Sequence, residues 1–154
     1  MRTYKAIVLN DYPLQHYATW VKEQKKTIET RMSNMNYRGE LVICCGGKSV
    51  TSNAGKALCI VNVYDCRPMT DEDENAACIG NVEGRKAILL KDWKYFSRDF
   101  TFSKRKVGGS FQYLFDITIP DDVEILPSSE QNVQVSDTRD DDSSNAADKQ
   151  NNLP

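Results

Sequence analysis

Residues 4–10, YKAIVLN, form a short β-branched run that stops at Asn10-Asp11, the pattern of a first strand. The period then changes. Leu14, Tyr17, Ala18 and Val21 recur at helical spacing and predict a helix over 13–24 with one buried stripe. Asp11 is placed to cap that helix, and Pro13 suits its first turn, where a missing N–H is not needed. Residues 27–31, TIETR, alternate and predict a strand. NYRGE, 36–40, predicts a turn built on Gly39, and LVICC, 41–45, a buried strand in which Cys44 and Cys45 face opposite ways.

Residues 46–55 read as a flexible loop and 56–66 as the longest strand candidate. Thr70 followed by DEDENAAC predicts a capped helix with acids in its first turn, where the helix dipole favours them. KAILLKDWKYF, 86–96, fits a strand or a helix. Residues 100–119, FTFSKRKVGGSFQYLFDITI, predict two strands joined through a basic Gly-Gly loop. Beyond Pro127 the chain turns to Ser, Asn, Asp and Gln, too few apolar groups to offset ordering entropy, so 128–154 is expected to be disordered. Several short strands, two short helices and no regular βαβ alternation place residues 1–127 in the α+β class as one domain, a small mixed β-barrel.

Charge sharpens this division. Up to Pro127 there are 18 Lys and Arg against 16 Asp and Glu, a net of +2; beyond it there are 2 against 6, a net of −4. A mildly basic body permits a polyanionic partner. The five cysteines (Cys44, Cys45, Cys59, Cys66, Cys78) contain no CxxC pair, and the single histidine, His16, is distant from them, which argues against a metal site. Buried thiols in a reducing compartment, and so a cytoplasmic protein, fit the odd cysteine count, the lack of a signal peptide and the absence of a membrane span.

KKTIETR followed by YRGELVI resembles the signature of the ASCH domain, a branch of the PUA-like superfamily, whose motif reads GxKxxExR. Lys26, Glu29 and Arg31 fall on its charged positions, and Gln24 stands where the glycine would be. YATWVKEQ before the motif, and NYRGELVIC, GKALCIVNVYDCRPMTDED and KVGGSFQYLFDI after it, fit the family in order, so the likeness covers about residues 4–119. It implies a PUA-like barrel of five or six strands with two or three flanking helices, the motif strand lining a cleft beside the N-terminal helix. It also implies binding of RNA or a nucleotide, with no cofactor. Some small members resemble amidohydrolases that deacylate a modified nucleoside such as N4-acetylcytidine, using lysine and threonine in a GxKxxT version of the motif. Here Glu29 takes the threonine's place, so Lys26 and Glu29 are the catalytic candidates if the protein is an enzyme.

Period-two geometry puts Glu29 and Arg31 on one face of their strand, with Lys26 at the preceding corner. A carboxylate between two cations orients them and leaves donors for a phosphate or a base edge. The alternative is that Glu29 simply neutralises its neighbours, as exposed pairs often do. Arg38 reads either as a surface turn residue or as a phosphate contact. Lys104, Arg105 and Lys106 before two glycines suit a loop that tracks a phosphate chain. Tyr37 and Trp20 flank the motif as base-stacking candidates, the remaining aromatics being core filling. Cys45 is a candidate nucleophile without an evident base.

Overall fold

A computed structural model describes residues 2–104, 106–107, 110–111 and 113–128. The chain runs through β1 (Arg2–Leu9), α1 (Tyr17–Lys22), β2 (Ile28–Arg31), β3 (Gly39–Cys45) and β4 (Lys56–Pro68). A 3-10 turn (Asp71–Asp73) leads into α2 (Glu74–Ala77), followed by β5 (Lys86–Thr101), β6 (Lys106–Val107), β7 (Ser110–Phe111), β8 (Phe115–Ile119) and β9 (Ile125–Pro127). Arg105, the Gly108-Gly109 pair and, Ser128 apart, the tail expected to be disordered lie outside the described residues.

Seven strands make one mixed sheet in the order β2-β5-β4-β3-β1-β8, with β9 also pairing β5; β6 and β7 form a separate hairpin. Only the β1–β3 ladder is parallel among the pairs of the large sheet. The long strands β4 and β5 shift register three times along their ladder, the signature of bulges that coil a sheet strongly. The stretch that fits strand or helix alike, 86–96, is strand because it lies wholly within β5, flanked by β4 on one side and by β2 and β9 on the other.

The expected barrel is not formed. β2 pairs only with β5 and β8 only with β1 among the described residues, so the coiled sheet keeps two free edges. The architecture is α+β, with an open sheet and two short helices.

Both faces of the sheet are covered, which explains why LVICC carries no polar residue. Leu41, Ile43 and Cys45 join Ile7, Val61 and Trp93 on the face that α1 covers with Ala18 and Val21. Val42 and Cys44 join Ile60, Phe100 and Ile119 on the other. Cys44 and Cys45 do face opposite ways, and all five cysteines are free. No helix among the described residues is long and apolar enough to cross a membrane.

The first helix is shorter than its pattern predicts. Tyr12 donates its N–H to Gln15 O at 2.8 Å, and Asp11 and His16 form an isolated bridge, so residues 12–15 close a turn. Leu14, expected in the buried stripe, is 81% exposed on that turn. Asp11 still serves the helix, but from below. Its carboxylate accepts the Thr19 N–H at 3.0 Å, inside the first turn of α1, along with the hydroxyls of Thr19 and, at 2.6 Å, Thr51.

Candidate functional site

The corner between α1 and β2 is built by backbone geometry at Gln24. After the last helical residue, Lys22, the chain enters the left-handed region at Gln24, φ +64°. Its N–H reaches Val21 O at 3.0 Å, and the Lys25 N–H reaches Trp20 O at 2.9 Å, the paired bonds of a Schellman C-cap. Glycine usually occupies this position because it has no Cβ to clash. Gln24 recovers part of the conformational cost by donating its side-chain amide to Tyr95 Oη at 3.0 Å and Ser128 Oγ at 3.1 Å. The following residues are clamped: Thr27 donates to Ala76 O at 2.9 Å and accepts from the Leu90 N–H at 3.2 Å.

With its backbone fixed in this way, Lys26 turns inward. Only 2% of it is exposed. Its Nζ donates to Ala77 O at the end of α2, lies 3.7 Å from Glu29 Oε1, and sits 5.3 Å from the centre of the Tyr17 ring. The short segment that presents Ala77 is itself tied down. Arg67 forks onto Asp73 at 2.8 and 3.0 Å, and Asp73 accepts the Thr70 N–H at 2.8 Å, as the acidic start of this element predicts. The Arg67 guanidinium, together with that N–H, holds the Asp73 carboxyl well below the usual carboxylate range.

Glu29 is also buried, and its second oxygen accepts the Tyr113 hydroxyl at 3.1 Å. Arg31, on the same face of β2, stacks its guanidinium 3.5 Å from the centre of the Tyr113 ring. Tyr113 lies just before β8, so these contacts join the two free edges of the sheet side chain to side chain. Burial lowers the Lys26 pKa against the pull of Glu29 and raises that of Glu29 against the pull of Lys26. The pair is therefore drawn towards its neutral forms, and Lys26 gives up its proton more readily than an ordinary lysine.

Beside this pair a concave cleft of about 320 Å³ opens between the end of β1 and the end of β2. Lys26, Glu29 and Arg31 line it, with Asn10, Tyr12 and Tyr17 from the loop and helix after β1, and Arg85 from the turn before β5. Its lining sets three basic side chains, Lys26, Arg31 and Arg85, against the one carboxyl of Glu29, a balance more favourable to an anion than to a cation. A larger hollow, about 590 Å³, lies along another face of α1, where Tyr95 donates to Lys22 O at 2.7 Å and Asn53 to Thr19 Oγ1 at 2.8 Å.

The remaining expected residues lie elsewhere. Tyr37 donates to Glu40 O at 2.6 Å and Arg38 to Met35 O at 2.8 Å, both outside the cleft, because the turn at Gly39 folds them back onto β3. Trp20 packs edge-on against Tyr17, under the Lys25 ammonium. Lys104 stands over the Phe115 ring, two residues from Tyr113; Lys106 is on β6, and Arg105 is outside the described residues. Burial pushes the Cys45 thiol up, away from a nucleophilic thiolate. No His, Cys, Asp and Glu cluster among the described residues is arranged to hold a metal ion.

The ASCH domain model matches the sequence over residues 14–108, well over half of the chain. This protein belongs to the ASCH domain family. Among solved structures it is similar to a crystal structure of ASCH from Zymomonas mobilis, with 16% identity, 86% of this chain and 93% of that chain covered, and a TM-score of 0.42. No curated protein sequence matches it. The ASCH signature residues of this chain are thus the ones that meet at the α1–β2 corner.

Sequence reasoning passed over Asn10, Tyr12, Tyr17, Arg85 and Tyr113. Tyr17 was hidden in an apolar stripe, and Arg85 follows a glycine at a strand start, a faint signal for a basic group at a turn. Tyr113 is 84 residues from Glu29 along the chain, and nothing local announces it.

Proposed function

We propose that this ASCH domain binds a nucleotide, free or within single-stranded RNA, in the cleft beside Lys26. One observation carries the reading: a small concavity combines an excess of cations with tyrosines at its rim. Its volume is at the low end for ligand sites, which span roughly 300–1,000 Å³, and suits one nucleotide unit better than a duplex. Arg31 contacts phosphate, Glu29 orients the cations, and Tyr12, 48% exposed, offers a ring to a base. Lys26, committed to Ala77 O and Glu29, forms the floor and sets the charge of the site.

The second reading is an amidohydrolase acting on a modified nucleoside such as N4-acetylcytidine. It is favoured by a lysine whose burial depresses its pKa beside a carboxylate, at the edge of a cleft. One experiment with two arms separates the readings. Fluorescence titration with short single-stranded RNAs should give an affinity that falls with salt, and Arg31→Ala should weaken it and flatten the log–log slope by about 0.7. Affinity untouched by Arg31→Ala removes the binding reading. In the parallel arm the protein is incubated with N4-acetylcytidine and products are followed by chromatography. Turnover abolished by Lys26→Ala supports the enzyme; no turnover removes it.

A further inference from the structure

The arginines of this protein divide into two groups. Arg2 donates to Pro120 O and Val123 O, Arg38 to Met35 O and Tyr37 O, Arg67 to Asp73, and Arg98 to Asp122. Each has a role within the fold. Arg31 and Arg85 differ: among the described residues neither donates a side-chain hydrogen bond or forms an ion pair, and the Nε of each is buried without a partner, Arg31 meeting the fold through its stack on the Tyr113 ring. Both line the same cleft.

A buried donor left unpaired is costly, more so when it carries charge. Two half-buried guanidinium groups that line one concavity without a protein acceptor leave their remaining donors for acceptor oxygens that arrive from outside. The nearby carboxylate does not supply them, since Glu29 is engaged by Lys26 and Tyr113. Lys26 is not the ligand's main cation either, because Ala77 O holds its ammonium. Arg85 sits close enough to Lys26 and Tyr17 to act on both electrostatically. It reaches this place through the turn at Gly84, where φ is +88° and a Cβ would meet the Met32 methyl at 3.4 Å.

We infer that Arg31 and Arg85 form a subsite for a terminal phosphate monoester, so that the ligand is a nucleoside monophosphate, free or at the end of an RNA strand. This rests on the reading that the cleft takes a nucleotide, and narrows it. Two guanidinium forks match the two charges and three free oxygens of a monoester; an internal diester offers one charge and two free oxygens. The base lies against Tyr12, which meets Tyr17 edge to face at 6.1 Å and 79° and is thereby held upright at the rim.

Isothermal titration of the full chain with cytidine, cytidine 5′-monophosphate, cytidine 3′-monophosphate, and a tetraribonucleotide with or without a 5′-phosphate tests the inference. Either monophosphate is expected to bind about tenfold or more tighter than cytidine, with Arg85→Ala bringing it down to the cytidine level. A gain confined to the 5′-phosphorylated tetranucleotide supports the subsite and assigns it to an RNA end. Cytidine and both monophosphates binding equally, with no gain from the 5′-phosphate on the tetranucleotide, overturns it while leaving nucleotide binding intact; so does a phosphate gain that survives Arg85→Ala. If none of the probes binds, nucleotide binding falls, and the subsite with it. The wild-type comparison stands alone should Arg85→Ala fail to fold.

Discussion

At the scale of single residues, the cost of burying Lys26 is met by a backbone carbonyl and one carboxylate, and each partner depends on the other. Removing Glu29 leaves the ammonium with Ala77 O and the face of the Tyr17 ring, and no counter-charge, in a site where 2% of the residue is exposed. Breaking a buried pair from one side costs about 3–5 kcal/mol, whereas replacing both members by apolar groups is often neutral. Glu29→Ala should therefore lower the urea midpoint by an amount in that range. Glu29→Gln, which keeps an acceptor for Lys26 and Tyr113, should lower it less, and Lys26→Met with Glu29→Leu should recover most of the loss. A Glu29→Ala midpoint within about 0.5 kcal/mol of the parent would contradict the pairing. The charged trio was legible in the sequence from its spacing and its resemblance to the ASCH signature. The partners that give it meaning, Tyr113 and Arg85, come from distant turns and left no periodic trace.

At the scale of elements, the α1–β2 corner depends on one backbone dihedral. Gln24 adopts φ +64°, where an L-residue costs roughly 1–2 kcal/mol relative to glycine, and its amide bonds to Tyr95 and Ser128 offset part of this. Two substitutions separate the contributions. Both Gln24→Ala and Gln24→Gly lose the amide, but only alanine keeps the steric cost, so Gln24→Gly should be the more stable of the two by about 1 kcal/mol in thermal denaturation. Equal stability of the two would mean that the corner relaxes and the Schellman bonds are not holding it. The motif's glycine position thus carries a conformational requirement that the sequence meets with a different residue. The start of α1 was misplaced for a related reason. Helical spacing of Leu14 with Tyr17 is real, but the local bond from Tyr12 to Gln15 claims those residues for a turn, and periodicity does not register hydrogen bonds.

At the scale of the whole molecule, two depressed carboxyls tie loops to the sheet around the cleft. For Asp11, burial pushes the pKa up but hydrogen bonds from Thr19 and Thr51 outweigh it; for Asp73, the Arg67 guanidinium leads. Both lie below the ordinary value of 3.8 in the fold. The unfolded chain takes up protons around that pH while the folded chain does not, so their stabilisation is complete above it and declines as pH drops towards the lower folded values. The urea midpoint near pH 3 should fall below that near pH 6. Asp73→Asn should narrow the gap and cost about 1 kcal/mol at neutral pH, the Arg67 end being partly exposed. Identical midpoints for parent and variant at both pH values would contradict this. The strands themselves were readable because β1, β3 and β4 each contain a run, 6–9, 41–45 and 57–61, that is apolar on both faces. Closure was not, since it depends on how far two edges travel around a coiled sheet, a sum of small twists and bulges that no residue pattern records.

The free edges of that sheet meet through the ring of Tyr113, between Glu29 and Arg31, without a ladder of peptide bonds. The gap is therefore as wide as one phenol makes it. A substitution at this single position would alter how the two edges approach, and with them the setting of Glu29 and Arg31, while every strand pairing stayed intact.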